Sequence, residues 1–202
     1  VDLLRNQYGV RTKSVIIPNP ITPNLPEWNG QHSKDIITAA RLTEQKNLPM
    51  LINAFEKLHR DFPEYRLIIY GEGELREALT SMIKDKNMSN NILLPGFAKN
   101  IHEVMKNSFM YVSSSDYEGI SNSMLESLGI GLPIVCTDCP VGGARMYIND
   151  GENGLLTPVG DKDALYRAMK RMIEEDGLAT KCSVASRAIN QLLTLDKITS
   201  KW

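Results

Sequence analysis

The sequence predicts an α/β domain of three layers, with helices on both faces of a mainly parallel sheet. Three observations carry this. Short apolar runs alternate with longer stretches whose apolar residues recur at helical spacing. Most of the short runs end at Gly, Pro or a Ser/Asp cluster, where a strand gives way to a loop. The order strand, helix, strand, helix is the one that right-handed parallel crossovers require.

The elements follow in order. Ser14–Ile17 reads as a short strand. Pro18, Pro20, Pro23 and Pro26 follow, too dense for helix or central strand, so this stretch is a linker or long loop. Ile36–Ala40 reads as a strand, and Leu48–Leu58 as a helix with Leu48, Leu51, Ile52, Phe55 and Leu58 on one face. Arg66–Tyr70 is a strand ended by Gly71, and Leu75–Asp85 is helical. Asn91–Leu94 is a strand ended by Pro95 and Gly96, then Ile101–Lys106 is a short helix. Phe109–Ser113 and Leu132–Thr137 are strands around a helix over Ser121–Leu128. Gly154–Thr157 is a short strand. Asp161–Glu174 is a helix that Asp161 or Asp163 can cap. A last helix is expected over Leu178–Leu193.

Composition narrows the function classes. A chain of 202 residues with 42% hydrophobic and 23% charged residues builds a core without metal or disulfide support. Its net charge of -1 gives no general attraction for nucleic acid or anionic lipid, so no nucleic-acid partner is expected. Cys136, Cys139 and Cys182 are odd in number and irregularly spaced, unlike a secreted disulfide framework. No apolar run approaches the ~18 residues of a membrane span, and no signal peptide is visible. The cytoplasm is the expected compartment.

Ligands of a parallel sheet bind beyond the carboxyl ends of its strands. Arg41 sits at such an end, and Lys46 opens the next helix. Cations at that place lie against an already positive helix terminus, so they call for an anion between them. A diphosphate would suit both, Arg41 by bidentate hydrogen bonds and Lys46 as a point charge. The second candidate is the run Ser113–Glu126. Gly119 allows close backbone approach, and Ser121 or Asn122 can cap a helix whose first amides form an anion site. Glu118 stands at the mouth of that helix and Glu126 in its first turns. Carboxylates suit vicinal hydroxyls. The third candidate is the rim Cys139–Arg145, where Gly142 and Gly143 either present amides or simply make tight turns.

Other motifs carry less. Gly71 and Gly73 resemble a dinucleotide fingerprint, but Arg76 stands at the third glycine position, and Glu72 and Glu74 would repel a pyrophosphate. Cys136 and Cys139 lack the second pair that zinc needs, so they read as small packing residues. His32, His59 and His102 are scattered, and the last two read as surface residues of helices.

The segments AARLTEQKNLPMLINAF, LIIYGEGELREAL, ILLPGFAKNI, VSSSDYEGISNSMLESLGIGLPIVCTD and INDGENGLLTPVGDKDAL occur in this order between about Val15 and Met172. In that register they resemble the C-terminal, nucleotide-sugar-binding domain of glycosyltransferase family 4. The resemblance implies the GT-B architecture, two Rossmann-like domains facing across a cleft. By position, Arg41 and Lys46 match the basic pair on the donor diphosphate. Glu118 and Glu126 match a Glu-x7-Glu motif whose first carboxylate faces the donor sugar and whose second holds the ribose. Backbone at Gly96 and Phe97 matches the loop that reads the base, and Gly119, Ile120, Ser121, Asn122 and Ser123 match the amides beside the diphosphate. The resemblance further implies retention of anomeric configuration, no cofactor, no bound metal and a UDP-sugar as the default donor.

Three positions depart from the common family pattern: Ala40 and Asn47 stand where Gly is frequent, and Met146 where Glu is frequent. The resemblance also implies a missing half. Residues 1–30 read as a remnant of the interdomain segment with its Pro-rich hinge, and residues 31–202 as the donor domain, whose final helix ends at Trp202. The implied partners are a nucleotide sugar, the N-terminal domain of the same enzyme, and a glycan or lipid-linked acceptor met at the inner face of the membrane. Bacterial surface polysaccharide synthesis is the expected setting, with little transfer by this chain alone. The alternatives are a GT-B sugar-nucleotide epimerase and a non-catalytic nucleotide-binding module.

Overall fold

A computed structural model describes residue 9 and residues 16–200. Its sheet holds β1 (Asp35–Ala39), β2 (Arg66–Tyr70), β3 (Ile92–Gly96), β4 (Met110–Ser113), β5 (Ile134–Thr137) and β6 (Leu155–Thr157). All five pairings are parallel, in the order β3-β2-β1-β4-β5-β6. The helices are α1 (Leu48–Asp61), α2 (Arg76–Asp85), α3 (Ile101–Lys106), α4 (Asn122–Ile130), α5 (Lys162–Glu174), α6 (Leu178–Ser186), α7 (Ile189–Leu192) and α8 (Leu195–Thr199). This is a Rossmann-like α/β domain.

Alternation along the strands divides the core. Ile36, Leu67, Ile69, Met110, Val112 and Val135 face α1, α2 and α5, where Phe55, Leu79 and Met169 pack on them. Ile37, Ile68, Tyr111, Ile134 and Cys136 face the other way, onto α3, α4, α7 and α8. A two-sided sheet needs near-continuous apolar strands, and the burial patterns of β1, β4 and β5 show this.

The strand order fixes where a ligand can sit. From β1 the chain winds outward through β2 to β3, then returns through α3 to β4 on the other side of β1. The connections leaving β1 and β4 therefore depart in opposite directions, and a crevice opens between their carboxyl ends. Register supports this, since β1 and β4 share only the pairs Ile36–Met110 and Ile37–Tyr111.

Several sequence expectations change. Ile16 and Ile17 are not in a strand, and Ser14 and Val15 lie outside the described residues. The proline-rich stretch is more than a linker: it runs as a strap along α4. Asn19 Nδ2 donates to Asn122 Oδ1 at 3.0 Å near one end, and Trp28 N donates to the Ile130 carbonyl at 2.9 Å at the other. Gly129 permits this approach, because a Cβ there would lie 2.5 Å from Ile21 Cδ1 and 2.7 Å from Asn190 Oδ1. Pro95 and Gly96 fall inside β3 instead of ending it, which an edge strand tolerates because proline's missing donor is not needed there. The helix expected over Leu178–Leu193 breaks at Arg187 and Ala188, and α6, α7 and α8 turn across the strap face. The segment's end at Trp202 lies outside the described residues. Among the described residues no helix is long and apolar enough to cross a membrane.

Phe55 is fully buried between α1 and the sheet. Phe55→Ala should lower unfolding free energy by about 3–5 kcal/mol, read from urea denaturation.

Candidate functional site

The site forms where two loops meet at the crevice between β1 and β4. After β1 the chain passes Arg41 and makes a single 3-10 turn, Glu44–Lys46, before α1 begins. Lys46 therefore does not open the helix as expected. It closes the turn ahead of it, and Asn47 caps α1 instead. Asn47 adopts φ 41 and ψ 46, the left-handed region that Gly favours and Asn tolerates. Its carboxamide oxygen accepts from Met50 N at 3.3 Å, and its Nδ2 donates to Asp116 Oδ1 at 2.7 Å. A glycine would satisfy the backbone there but could do neither.

Four further bonds sew this loop to the one after β4. Asp116 N donates to the Gln45 carbonyl at 2.9 Å, and Ser114 Oγ to the Lys46 carbonyl at 2.8 Å. Gln45 Nε2 donates to the Tyr117 carbonyl at 2.9 Å. Lys46 Nζ donates to Glu118 Oε2 in an ion pair whose side chains are only 15% and 22% exposed. Deeper down, Thr137 Oγ1 donates to the Ser115 carbonyl at 2.6 Å, so β5 joins the same seam.

α4 enters the crevice from the other side. Ser121 caps it, accepting from Met124 N at 3.4 Å. Ser123 Oγ donates to the Ala39 carbonyl at 3.0 Å, which brings the helix start to the end of β1. Tyr111 sends its hydroxyl to the same carbonyl at 3.4 Å, and burial pushes the phenol up to about 12. Periodicity identifies neither contact, since Tyr111 reads simply as a strand residue.

Glu126 is not a free surface carboxylate. Its Oε1 accepts from Thr22 Oγ1 of the strap at 3.1 Å, and its Oε2 lies 3.2 Å from His102 Nε2 on α3. The sequence reads His102 as a surface residue. The α3 crossover instead brings it from the end of β3 to α4, where it meets Glu126. A cavity of about 140 Å³ lies here, lined by Asn19, Thr22, Asn122 and Glu126 among others. Sequence spacing cannot show that a proline-rich segment and a helix 80 residues later share one carboxylate.

Arg41, by contrast, is exposed and has no side-chain hydrogen bond or ion pair among the described residues. The Thr43 hydroxyl in the same loop is buried without a partner. Gly96 is buried with φ 85 and Phe97 beside it is 80% exposed, both at the end of β3. β3 is two strands from β1 at the sheet edge, and Gly96 O accepts from Gly71 N at 2.9 Å.

Close backbone approaches set the frame. A Cβ on Gly71 would lie 1.9 Å from the Ala40 carbonyl oxygen, and one on Gly73 2.5 Å from that of Leu42. These glycines therefore let the end of β2 lie against the Arg41 loop, a structural role in place of the dinucleotide fingerprint they resemble. At the third candidate rim, a Cβ on Gly143 would lie 1.7 Å from the Gly119 carbonyl oxygen. Gly143 is thus what brings the rim against Gly119 and Ile120, while Gly119 itself has open space beside it. Arg145 of the same rim is held by Asp138, with Nε donating to Oδ1 at 2.7 Å. Met146 is 46% exposed.

Cys136, Cys139 and Cys182 are free and buried. Burial raises all three thiols, and for Cys139 the nearby Glu118 and Asp138 carboxylates add to it. Among the described residues no group of His, Cys, Asp and Glu has the arrangement of a metal site.

Residues 27–189 match the family model described as glycosyl transferases group 1. The chain is 34% identical over 165 residues to a Campylobacter jejuni N-acetylgalactosamine-N,N'-diacetylbacillosaminyl-diphospho-undecaprenol 4-alpha-N-acetylgalactosaminyltransferase, covering 82% of this chain and 44% of that protein. It is 31% identical to the GtfA subunit of a Streptococcus agalactiae UDP-N-acetylglucosamine–peptide N-acetylglucosaminyltransferase, covering 87% of this chain and 36% of the other. The crystal structure of the pneumococcal O-GlcNAc transferase GtfA in complex with UDP and GlcNAc superposes with a TM-score of 0.86 at 27% identity, over 100% of this chain and 42% of that one. A C-terminal domain of a group 1 protein from Francisella tularensis shares the fold, with a TM-score of 0.73 at 19% identity and 93% of that chain covered. The chain thus spans less than half the length of the curated relatives named here.

Two outcomes are expected from the site's packing. Gly143→Ala should destabilise the protein by about 1–3 kcal/mol in a denaturant titration, because the Gly119 carbonyl must move. Since raised thiols stay protonated in mildly alkaline solution, iodoacetamide at pH 8 should leave all three cysteines unmodified in the folded protein and label all three in urea, as read by mass spectrometry.

Proposed function

The chain belongs to the group 1 glycosyl transferases, and on that footing we propose that residues 31–202 are the donor half of a two-domain enzyme of glycosyltransferase family 4. It binds a nucleoside diphosphate sugar, by default a UDP-sugar. The whole enzyme moves that sugar, with retention of configuration, to a glycan or lipid-linked acceptor in bacterial surface polysaccharide synthesis. An N-terminal domain of the same enzyme supplies the acceptor site.

The observation that carries this reading is the convergence of Arg41, Lys46 and the capped start of α4 on one crevice at the switch point of the sheet. Breaking the bond between sugar and diphosphate builds charge on the departing phosphate. Fixed cations and amides aimed at that charge lower the barrier, and each such donor is worth about 3–4 kcal/mol. Arg41 and Lys46 act at the diphosphate together with backbone amides of Gly119–Ser123. Glu118 faces the sugar. Glu126 takes the ribose hydroxyls, exchanging its Thr22 contact for them. Gly96 and Phe97 lie at the base, where the exposed ring offers a stacking face. Relatives whose names or crystal contents include UDP support the choice of uridine.

Calorimetric titration with UDP, GDP and ADP tests the reading. UDP should bind in the micromolar to millimolar range, unaffected by chelator. Arg41→Ala should weaken binding about tenfold or more, as expected for loss of charged hydrogen bonds. Absence of binding to all three nucleotides, in this chain and in the full-length protein alike, would remove the donor assignment.

A further inference from the structure

The site already contains an anion of its own. Lys46 Nζ donates to Glu118 Oε2, and both side chains are largely covered. An ammonium this enclosed and left without a partner would be costly, so some anion must accompany Lys46 whenever no ligand is bound. Arg41, exposed and without a side-chain partner among the described residues, has no such need. The two cations of the site are therefore unequal: one stands free in water, the other is occupied.

Building on the donor-site reading, we infer that Glu118 is a resident counter-anion on Lys46, which the donor diphosphate must displace to bind. The exchange needs only side-chain motion. The main-chain bond of Asp116 to Gln45, and the Ser114 contact to the Lys46 carbonyl, hold both loops in place whichever anion Lys46 carries. The Asn47–Asp116 bond does the same on the α1 side and uses neither partner of the pair. A diphosphate brings more than one negative charge and several acceptor oxygens, so it can outcompete one carboxylate where a weakly charged or singly charged anion does so poorly. Once released, the Glu118 carboxylate lies beside the bound ligand, at the position the reading gives to the sugar. Glu118 thus lowers affinity for any ligand that fails to replace it, and this makes it a specificity-determining residue as well as a donor contact.

The test is a cycle of UDP affinities for wild type, Glu118→Gln, Lys46→Met and the double variant. Ligand-observed NMR reaches the millimolar range, and circular dichroism confirms folding. Glu118→Gln is expected to bind UDP about fivefold or more tightly than wild type, the size of one partly covered ion pair. In the Lys46→Met background the same substitution should bring little or no gain. Equal gains in both backgrounds would show Glu118 to be a general negative charge near the site, and would overturn the exchange. Unchanged or weaker binding by Glu118→Gln, with wild type binding UDP, would also overturn it and leave the donor site standing. No UDP binding by wild type or Glu118→Gln, in this chain and in the full-length protein alike, would remove both. Independently, a UDP-bound crystal structure should show Lys46 Nζ on a phosphate oxygen, and one with Lys46 still on Glu118 would refute the inference.

Discussion

The seam between the loops after β1 and β4 is the constraint on which the rest of the structure depends. In a sheet that winds both ways from β1, no crossover bridges the gap at the carboxyl ends of these two strands. Backbone groups near that gap have no ladder partner, and leaving them unpaired would cost free energy. Here each loop satisfies the other, through Asp116, Ser114, Asn47 and Gln45. The polar residues buried just beneath, Ser115 and Thr137, are bonded to one another in the same place. A crevice that is open above and pinned below fixes Lys46 and the start of α4 around it, while the Arg41 side chain stands exposed at its mouth.

Much of this is legible in the sequence, for reasons that can be named. Both β1 and β4 are buried on two faces, so their apolar runs stand out, and the strand-end residues Arg41 and Ser114–Gly119 can be located from residue pattern alone. Helices α1 and α5 show their buried faces at the expected spacing. What pattern does not carry is contact between segments distant in sequence. The Glu126 carboxylate is shared by a strap residue and a helix residue, Thr22 and His102, and nothing in local pattern links them. Ser14–Ile17 looks strand-like by composition, yet Ile16 and Ile17 take no place in the sheet. The C-terminal segment has helical composition throughout but must bend to follow the strap, so the one predicted helix becomes two short ones, with α8 after them.

The glycines teach the same lesson from the other direction. Gly71 and Gly73 invite a phosphate-binding interpretation by spacing alone, but their lost side chains make room for protein backbone. Gly143 does so at the rim. In contrast Gly119, at the mouth of α4, has nothing within reach of a Cβ. Closeness of neighbours therefore separates glycines that the fold requires from one whose space stays open beside the crevice. Asn47 completes the picture: it takes the left-handed backbone that glycine favours, and adds one hydrogen bond that caps α1 and another that fastens the seam.

Pro95 has an effect that reaches beyond the molecule itself. It lies in β3, one edge of the sheet, with Gly96 next to it in a left-handed turn of the chain. A bare strand edge is a template on which another copy can add a strand and begin to aggregate. A residue with no amide hydrogen, followed by a bend, interrupts that template within an otherwise sticky Ile-Leu-Leu run. The opposite edge, β6, is only three residues long. Both margins of the sheet are thus poor starting points for intermolecular pairing, and the chain guards its own colloidal stability with one imino acid and one short strand.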